Sequence, residues 1–476
     1  MISNLSLFSG RLFCADQEKA VLDAPEIWSA EILEIGNEAE TSLRSTCRED
    51  CEVLSQSAWK DLRNGFSKFL EHLLLLNPDR EYLQCIVRTW VEAQHEMLSR
   101  LHSDREALGA WLLSDCGPVV TIETDLSDRH NGGRTVAVFT FESGLRVVYK
   151  PREMGIEDWY CRFSGWLNES GMPFPIRAAK VMTRPGYGWM EFVPHARCRS
   201  KEELSRYYRN AGALLCILHV LRARDCHFQN LIACGQSPVL VDAEMLFQAQ
   251  LAERESTSVM QTGMIPNFRF GPEGQHYDVS GLGFVERKST HFRIPEWSAT
   301  GIRYAMGVLQ PRQNIPLMTD QAARPQDYVS EMVDGFTQTY RYLAGHRNDV
   351  LAWIRTAATL PVRYLIRETM EYYEVLQFNL SPEIEGPITL PELASARMIF
   401  SVLRQEEVAS LERLDIPRFT LAAEDRSLCG LESCFYRSGL EAALAGVEEL
   451  SERDLAKQLQ FIQLSWSLSQ ISSSLA

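Results

Sequence analysis

The chain has no run of about 18 consecutive apolar residues, so no helical membrane span is expected. Its N-terminus lacks a basic region followed by a long apolar stretch, and no signal peptide is visible. Cys-x-x-Cys is missing among the 12 cysteines, and no Cys/His group has zinc-finger spacing. The closest pairs are Cys47 with Cys51 and Cys429 with Cys434. Scattered cysteines in an acidic chain of this size read as reduced thiols in a cytoplasmic protein. Positive charge is in short supply as well. The net charge is −15 and the pI about 5.3, so no nucleic-acid partner is expected on global electrostatics. There is no Walker phosphate loop and no internal repeat.

What is present suits an ordinary globular protein: 476 residues, 45% hydrophobic and 23% charged. That length allows two or three domains, or one large multi-lobed enzyme. Residues 1 to about 115 read as helical, since Phe66, Phe69, Leu70, Leu73 and Leu74 recur at three-to-four spacing. Tyr82, Ile86, Trp90 and Ala93 repeat that rhythm. The pattern changes near Gly117. Val119–Ile122, Thr135–Phe141 and Leu145–Lys150 are strand candidates, which makes a small antiparallel sheet. Between the first two lies the loop from Ser127 to Arg134, with Asp128, His130, Gly132 and Gly133. Its backbone N–H groups are able to face phosphate oxygens, or the loop is an ordinary hairpin entry.

Lys150 ends an apolar strand. A buried lysine needs an anionic partner, and a nucleotide's phosphates would be one; the alternative is an edge-strand lysine that blunts aggregation. A helix follows over 157–169, and its Glu157 and Asp158 are both candidate partners of Lys150. Gly188–Val193 reads as a strand joining two lobes. A strong amphipathic helix, Lys201–Arg224, delivers the chain into Asp225.

The stretch from Asp225 to Glu244 carries the most chemistry. An Asp followed five positions later by Asn230, then a strand ending in Asp242, is the phosphoryl-transfer loop pattern. Asp225 is placed to deprotonate a hydroxyl, and Asn230 and Asp242 are hard oxygen ligands suited to Mg²⁺. Residues 248–300 read as a long irregular, glycine-containing segment, where a kinase has its activation loop. Helical rhythm returns at about 327, and Pro361–Thr369 reads as the opening of another helix. On a helix Arg363 and Arg367 would share a face and suit a phosphate, or they are surface arginines paired with glutamates. The last hundred residues read as helical, with a turn at Asp415-Ile416-Pro417 and a serine-rich tail expected to fray.

Five stretches together resemble a known family. They are Val148-Tyr149-Lys150-Pro151-Arg152, the Asp225-x-His227-Phe228-x-Asn230 run, Leu240-Val241-Asp242-x-Glu244, Arg363 with Thr369, and Leu414-Asp415-Ile416-Pro417-x-Phe419. In this order they are similar to the dehydratase domain of the class II lanthipeptide synthetases (the LanM type), over roughly residues 115 to 465. The resemblance implies an α+β fold with a lipid-kinase-like, two-lobed core and added helical elements at both ends. It divides the chain into a helical capping region at 1–115 and a smaller lobe with the phosphate-covering loop and Lys150 at 116–195. The catalytic loop and metal site then fall at 196–300, and a helical larger lobe with the elimination motif at 301–476.

The activity it implies is dehydration of Ser and Thr in a precursor peptide. ATP and Mg²⁺ support phosphorylation, and loss of phosphate leaves dehydroalanine or dehydrobutyrine. Lys150 would hold the nucleotide phosphates, with Asp128, His130, Gly132 and Gly133 in the covering loop. Asp225 would act on the hydroxyl beside His227. Asn230 and Asp242 would bind Mg²⁺ supported by Glu244, and Arg363 and Thr369 would serve elimination. Partners would be a precursor peptide with its leader and a possible separate cyclase, because full family members continue into a zinc cyclase and thioether closure is not expected from this polypeptide. Ser127 stands where the pattern has Gly, Gln229 where Glu is frequent, and the helical N-terminal part is shorter than usual, which leaves leader recognition open. Two other readings stay open: a kinase without elimination, which leaves a stable phosphorylated product, and a non-catalytic scaffold that binds a precursor peptide without ATP turnover.

Overall fold

The computed structural model describes residues 26–46, 53–74, 80–113, 116–253, 255, 257–266, 269–270, 276–283, 291–298, 301–308, 313–319, 321–379, 388–393 and 395–475. Cys47, Cys51 and the glycines at 271 and 274 lie outside them, as do residues 1–25 of the N-terminal region.

Three helices open the described chain: α1 (Glu26–Thr46), α2 (Gln56–Leu74) and α3 (Arg80–Leu112). The helical spacing of Leu62, Phe66, Phe69 and Leu70 gives α2 one apolar stripe, and all four are buried. Phe66 stacks on Trp90 of α3 with ring centroids 4.1 Å apart. The stripe packs on a five-stranded antiparallel sheet of order β1-β2-β3-β5-β4. Its strands are β1 (Val119–Glu123), β2 (Ala137–Phe141), β3 (Arg146–Lys150), β4 (Val181–Arg184) and β5 (Tyr187–Glu191). Asp104 of α3 ties the two layers. It accepts hydrogen bonds from Tyr187 Oη and Trp189 Nε1, both at 2.8 Å, and from Arg184 at 2.7 Å. β3 runs between β2 and β5, so Lys150 is not an edge-strand lysine.

Helix α4 (Gly155–Glu169) follows β3, and α5 (Lys201–Val220) follows the sheet. Ser200 caps α5 by accepting the Glu203 N–H at 3.2 Å. A second core gathers α4, α5, α6 (Val329–Gly345) and α7 (Arg347–Arg355), and further along α10 (Gly439–Glu448) and α11 (Glu452–Leu475). α5 and α6 cross where Gly212 meets the Met332 carbonyl and Gly335 meets the Arg209 carbonyl. Between the cores sits a hairpin of β6 (Leu231–Cys234) and β7 (Ser237–Leu240), whose Ile232 and Val239 pack against Met190 and Val193.

Four expectations change. Pro361–Tyr364 is a strand, paired antiparallel with Phe419–Ala422, and α8 (Thr369–Asn379) begins only at Thr369. The strand's partner lies far along the chain, beyond α8 and α9 (Arg404–Leu411), so local spacing does not reveal it. Arg363 and Arg367 therefore share no helix face. Lys150 pairs with neither Glu157 nor Asp158: Glu157 takes Arg152 at 2.6 Å and Asp158 takes Arg162 at 2.9 Å. The 248–300 segment is not wholly irregular, because His291–Ser298 pairs with Gly301–Val308 as a hairpin. The serine-rich tail is helical in α11 as far as Leu475.

Candidate active site

One pocket between the sheet and the second core is lined by Asp128, His130, Lys150, Arg152, Asp225, Asn230, Asp242, Glu244, Arg363 and Arg418, among others. Most of the residues singled out from the sequence meet here. His227 and Thr369 are buried but do not line it, and neither do Gly132 and Gly133.

The loop after α5 is folded tightly. Asp225 has φ of +63°, in the left-handed region that Asp tolerates better than most residues. Its neighbours are held from outside the loop. Cys226 N–H donates to the Thr262 carbonyl at 2.8 Å and Phe228 N–H to Val279 at 3.1 Å. Asn230 Nδ2 donates to the Asp225 carbonyl at 2.9 Å and lies 3.2 Å from His227 Nε2. Burial pushes the Asp225 carboxyl up to about 7; Arg363 opposes the rise, and Asp242, Glu368 and Glu244 add to it. Burial pushes His227 down to about 4, so its ring is neutral at pH 7.

Lys150 Nζ donates to the Val241 carbonyl at 2.6 Å and to Asp242 Oδ2 at 3.3 Å. Asp242 also receives Arg152 at 2.8 Å. Burial alone would raise the Asp242 carboxyl, but Arg152 and Lys150 outweigh it and hold it below the usual range. Glu244 is gripped three times: by Arg363 Nη1 at 2.8 Å, Arg418 Nη2 at 2.8 Å and Arg152 Nε at 3.0 Å. Against burial, these guanidiniums keep its carboxyl well below the ordinary carboxylate range. Arg367 points elsewhere, to Glu407 at 2.8 Å.

The covering loop has a different partner from the one its glycines suggest. Gly132 and Gly133 have φ of +88° and +74°, and their N–H groups donate to the Asp415 carboxylate at 2.6 and 2.8 Å. His130 Nδ1 lies 2.6 Å from the Ile416 carbonyl, and Ile416 N–H donates to Arg129 O at 2.8 Å. Burial drives His130 down to about 3. Tyr373 Oη donates to Asp128 Oδ1 at 2.6 Å, and burial raises the Asp128 carboxyl despite that bond and Arg363.

Mg²⁺ keeps much of its hydration and commonly takes one or two protein oxygens plus phosphate oxygens. Asn230 and Asp242 supply oxygens of that kind at the pocket wall. Glu244 differs, since both of its oxygens accept guanidinium N–H groups. Among the described residues no group of three His, Cys, Asp or Glu is arranged to hold a metal alone.

Sequence reasoning gave no role to Arg152, Arg418, Tyr373 or Asp415. Arg152 and Asp415 stand inside quoted motifs, and Arg418 at the open position before Phe419. A guanidinium two residues from a strand lysine is the available signal.

Fold and site together define an α+β protein whose pocket interleaves carboxylates with guanidiniums and one lysine. A family model described as "Domain of unknown function (DUF4135)" matches residues 80–422, and the chain belongs to that family. It is also 24% identical over 382 residues to the "Lacticin 481/lactococcin biosynthesis protein LcnDR2" of Lactococcus lactis subsp. lactis. The match covers 71% of this chain and 40% of that protein. Both findings bear out the likeness to the class II lanthipeptide synthetases. No helix of the described residues is long and apolar enough to cross a membrane.

Proposed function

We propose that the chain takes part in lanthipeptide maturation as an ATP-dependent dehydratase of Ser and Thr in a ribosomal precursor peptide. The observation that carries this is the meeting of Lys150, Asp225, Asn230, Asp242 and Arg363 in one pocket, from β3, the Asp225–Glu244 stretch and the Pro361–Tyr364 strand. We infer that the sheet with α4 is the smaller lobe of a kinase-like core and that the helices around α5 are the larger one.

Two steps share the pocket. Asp225 accepts the proton of the substrate hydroxyl, whose oxygen bonds to the terminal phosphorus of ATP while the bond to ADP breaks. Lys150 leaves Asp242 and Val241 to hold the nucleotide's phosphates. Asn230 and Asp242 would hold Mg²⁺, which would supply neutralisation of charge on the transferring group. In the second step a base removes the Cα proton, the Cβ–O bond breaks and phosphate departs, leaving a carbon–carbon double bond. Arg363 stabilises the departing anion. Thr369, buried at the start of α8 and off the pocket wall, is the second residue assigned to elimination.

The test is the intact mass of a candidate Ser/Thr/Cys-rich peptide after incubation with the chain, ATP and Mg²⁺. Wild type is expected to remove one water per modified residue, and Arg363→Ala to leave phosphate instead. Phosphate gain by both proteins would make this a kinase without elimination. No ATP turnover with any such peptide would favour a scaffold.

A further inference from the structure

We propose that Arg152, Arg363 and Arg418 form a phosphoryl-binding site, and that Glu244 organises it rather than ligating metal. The proposal rests on the dehydratase reading only for the source of the phosphoryl group, which is the phosphorylated side chain of the substrate.

Glu244 sits under three guanidiniums drawn from three parts of the fold: the end of β3, the Pro361–Tyr364 strand and the approach to the Phe419–Ala422 strand. Its side chain and those of Arg152 and Arg418 are each 11% exposed, and that of Arg363 is 8% exposed. Like charges in contact near a protein surface repel. A divalent cation placed on Glu244 would meet that repulsion from three sides. An anion beside Glu244 would be attracted by the three guanidiniums and by Lys150, which together outnumber Glu244 and Asp242.

Two of the arginines, Arg363 and Arg418, also have hydrogen-bonding capacity to spare. Arg363 Nε and Nη2 and Arg418 Nε are buried without a hydrogen-bond partner. Buried donors left unmatched are costly and uncommon, and guanidinium donors fit the oxygens of a phosphoryl group in pairs. Glu244 aims them. It accepts Arg363 Nη1 on one oxygen and Arg418 Nη2 on the other, and its backbone carbonyl accepts the Arg363 N–H at 2.8 Å. The glycine loop beside the pocket offers no competing donors, because the Gly132 and Gly133 N–H groups hold Asp415. The unmatched N–H groups of Arg363 and Arg418 are thus the donors open to a ligand, while Arg152, held by Glu157, Asp242 and Glu244, adds its charge.

The test is calorimetric titration of the full chain with inorganic phosphate and with a phosphoserine-containing peptide, both without metal, and separately with MgATP. Mn²⁺ binding in the presence of ATP is read by electron paramagnetic resonance. Phosphoserine peptide and inorganic phosphate are expected to bind wild type, the peptide at least as tightly. Arg418→Gln is expected to weaken both by about tenfold or more while MgATP affinity stays within about twofold. Arg418→Lys keeps the charge without the fork; it should lose less, and it decides the matter if the Gln variant does not fold by circular dichroism. Glu244→Gln is expected to weaken phosphate and leave Mn²⁺ affinity unchanged. Unchanged phosphate affinity in both Arg418 variants would overturn the site. Displacement of phosphate by MgATP, with both weakened equally, would reassign the arginines to the nucleotide and overturn it too. Loss of Mn²⁺ in Glu244→Gln would restore Glu244 as a metal ligand. Arginine-dependent phosphate binding in a chain that dehydrates no peptide would leave this site standing and sink the dehydratase reading alone.

Discussion

Asp225 shows how one residue's surroundings prepare it for its work. A carboxyl raised to about 7 is a far better proton acceptor than an ordinary aspartate and is still half ionised at neutral pH. The base works only when deprotonated, so phosphorylation should fall about tenfold for each pH unit below that value and level off above it. The same shift has a sign for stability. A folded-state value above the unfolded one means a contribution that is full at low pH and lost as pH rises through about 7. Thermal melts of wild type and Asp225→Asn across roughly pH 4 to 8 should show a loss between about 4 and 7 in wild type that the variant lacks, and the variant should be inactive. A variant that melts with the same pH slope as wild type would place the shift on another group. The aspartate's identity was legible from its spacing to Asn230. Its altered acidity was not, because burial and the approach of Arg363 come from distant segments.

Elements were legible where one face alone meets the core. The stripes on α2 and α5 and the alternation in β2 and β3 each carry a period that fits one backbone geometry. Pro361–Tyr364 reads as the opening of a helix from its own neighbours, while the pairing that makes it a strand lies with Phe419–Ala422. The crossing of α5 and α6 makes a prediction at this scale. Each helix presents a glycine to the other's backbone carbonyl, so Gly335→Ala puts a methyl group into Arg209. Overpacking of this kind costs about 1–3 kcal/mol, and the melting temperature should drop by several degrees with activity per folded molecule little changed. An unchanged melt would mean that the helices slide apart without cost. A second prediction concerns the covering loop. Asp415→Ala removes the acceptor of the Gly132 and Gly133 N–H groups, and their hydrogen exchange should quicken by about tenfold or more. Slow exchange in that variant would show the loop held by His130 and Ile416 alone.

At the scale of the whole molecule, the N-terminal helices are part of the main body. Phe66 and Trp90 share a core with Phe139, Tyr149 and Trp189 of the sheet, with Tyr372 and Tyr373 of α8, and with Leu414 and Ile416. That core reaches the covering loop through Tyr373 and Asp128, so the helices support the site as well as the sheet. A chain of residues 116–476 alone would expose the sheet's apolar face. It is expected to aggregate, or to show a broad, non-cooperative melt by calorimetry; a sharp melt near that of the whole chain would make the helices a separate cap.

Local order and chemical type follow from the chain itself. Helical and alternating periods are properties of neighbouring residues, and Lys150, Asp225, Asn230 and Asp242 are recognisable because short spacings are preserved in any fold. Partnership belongs to the folded state. Lys150 binding Asp242, Asp415 filling the glycine loop, and Glu244 drawing together Arg152, Arg363 and Arg418 all join segments far apart in sequence. Such contacts depend on which surfaces bury each other, and burial then sets the strength of every charge they bring together.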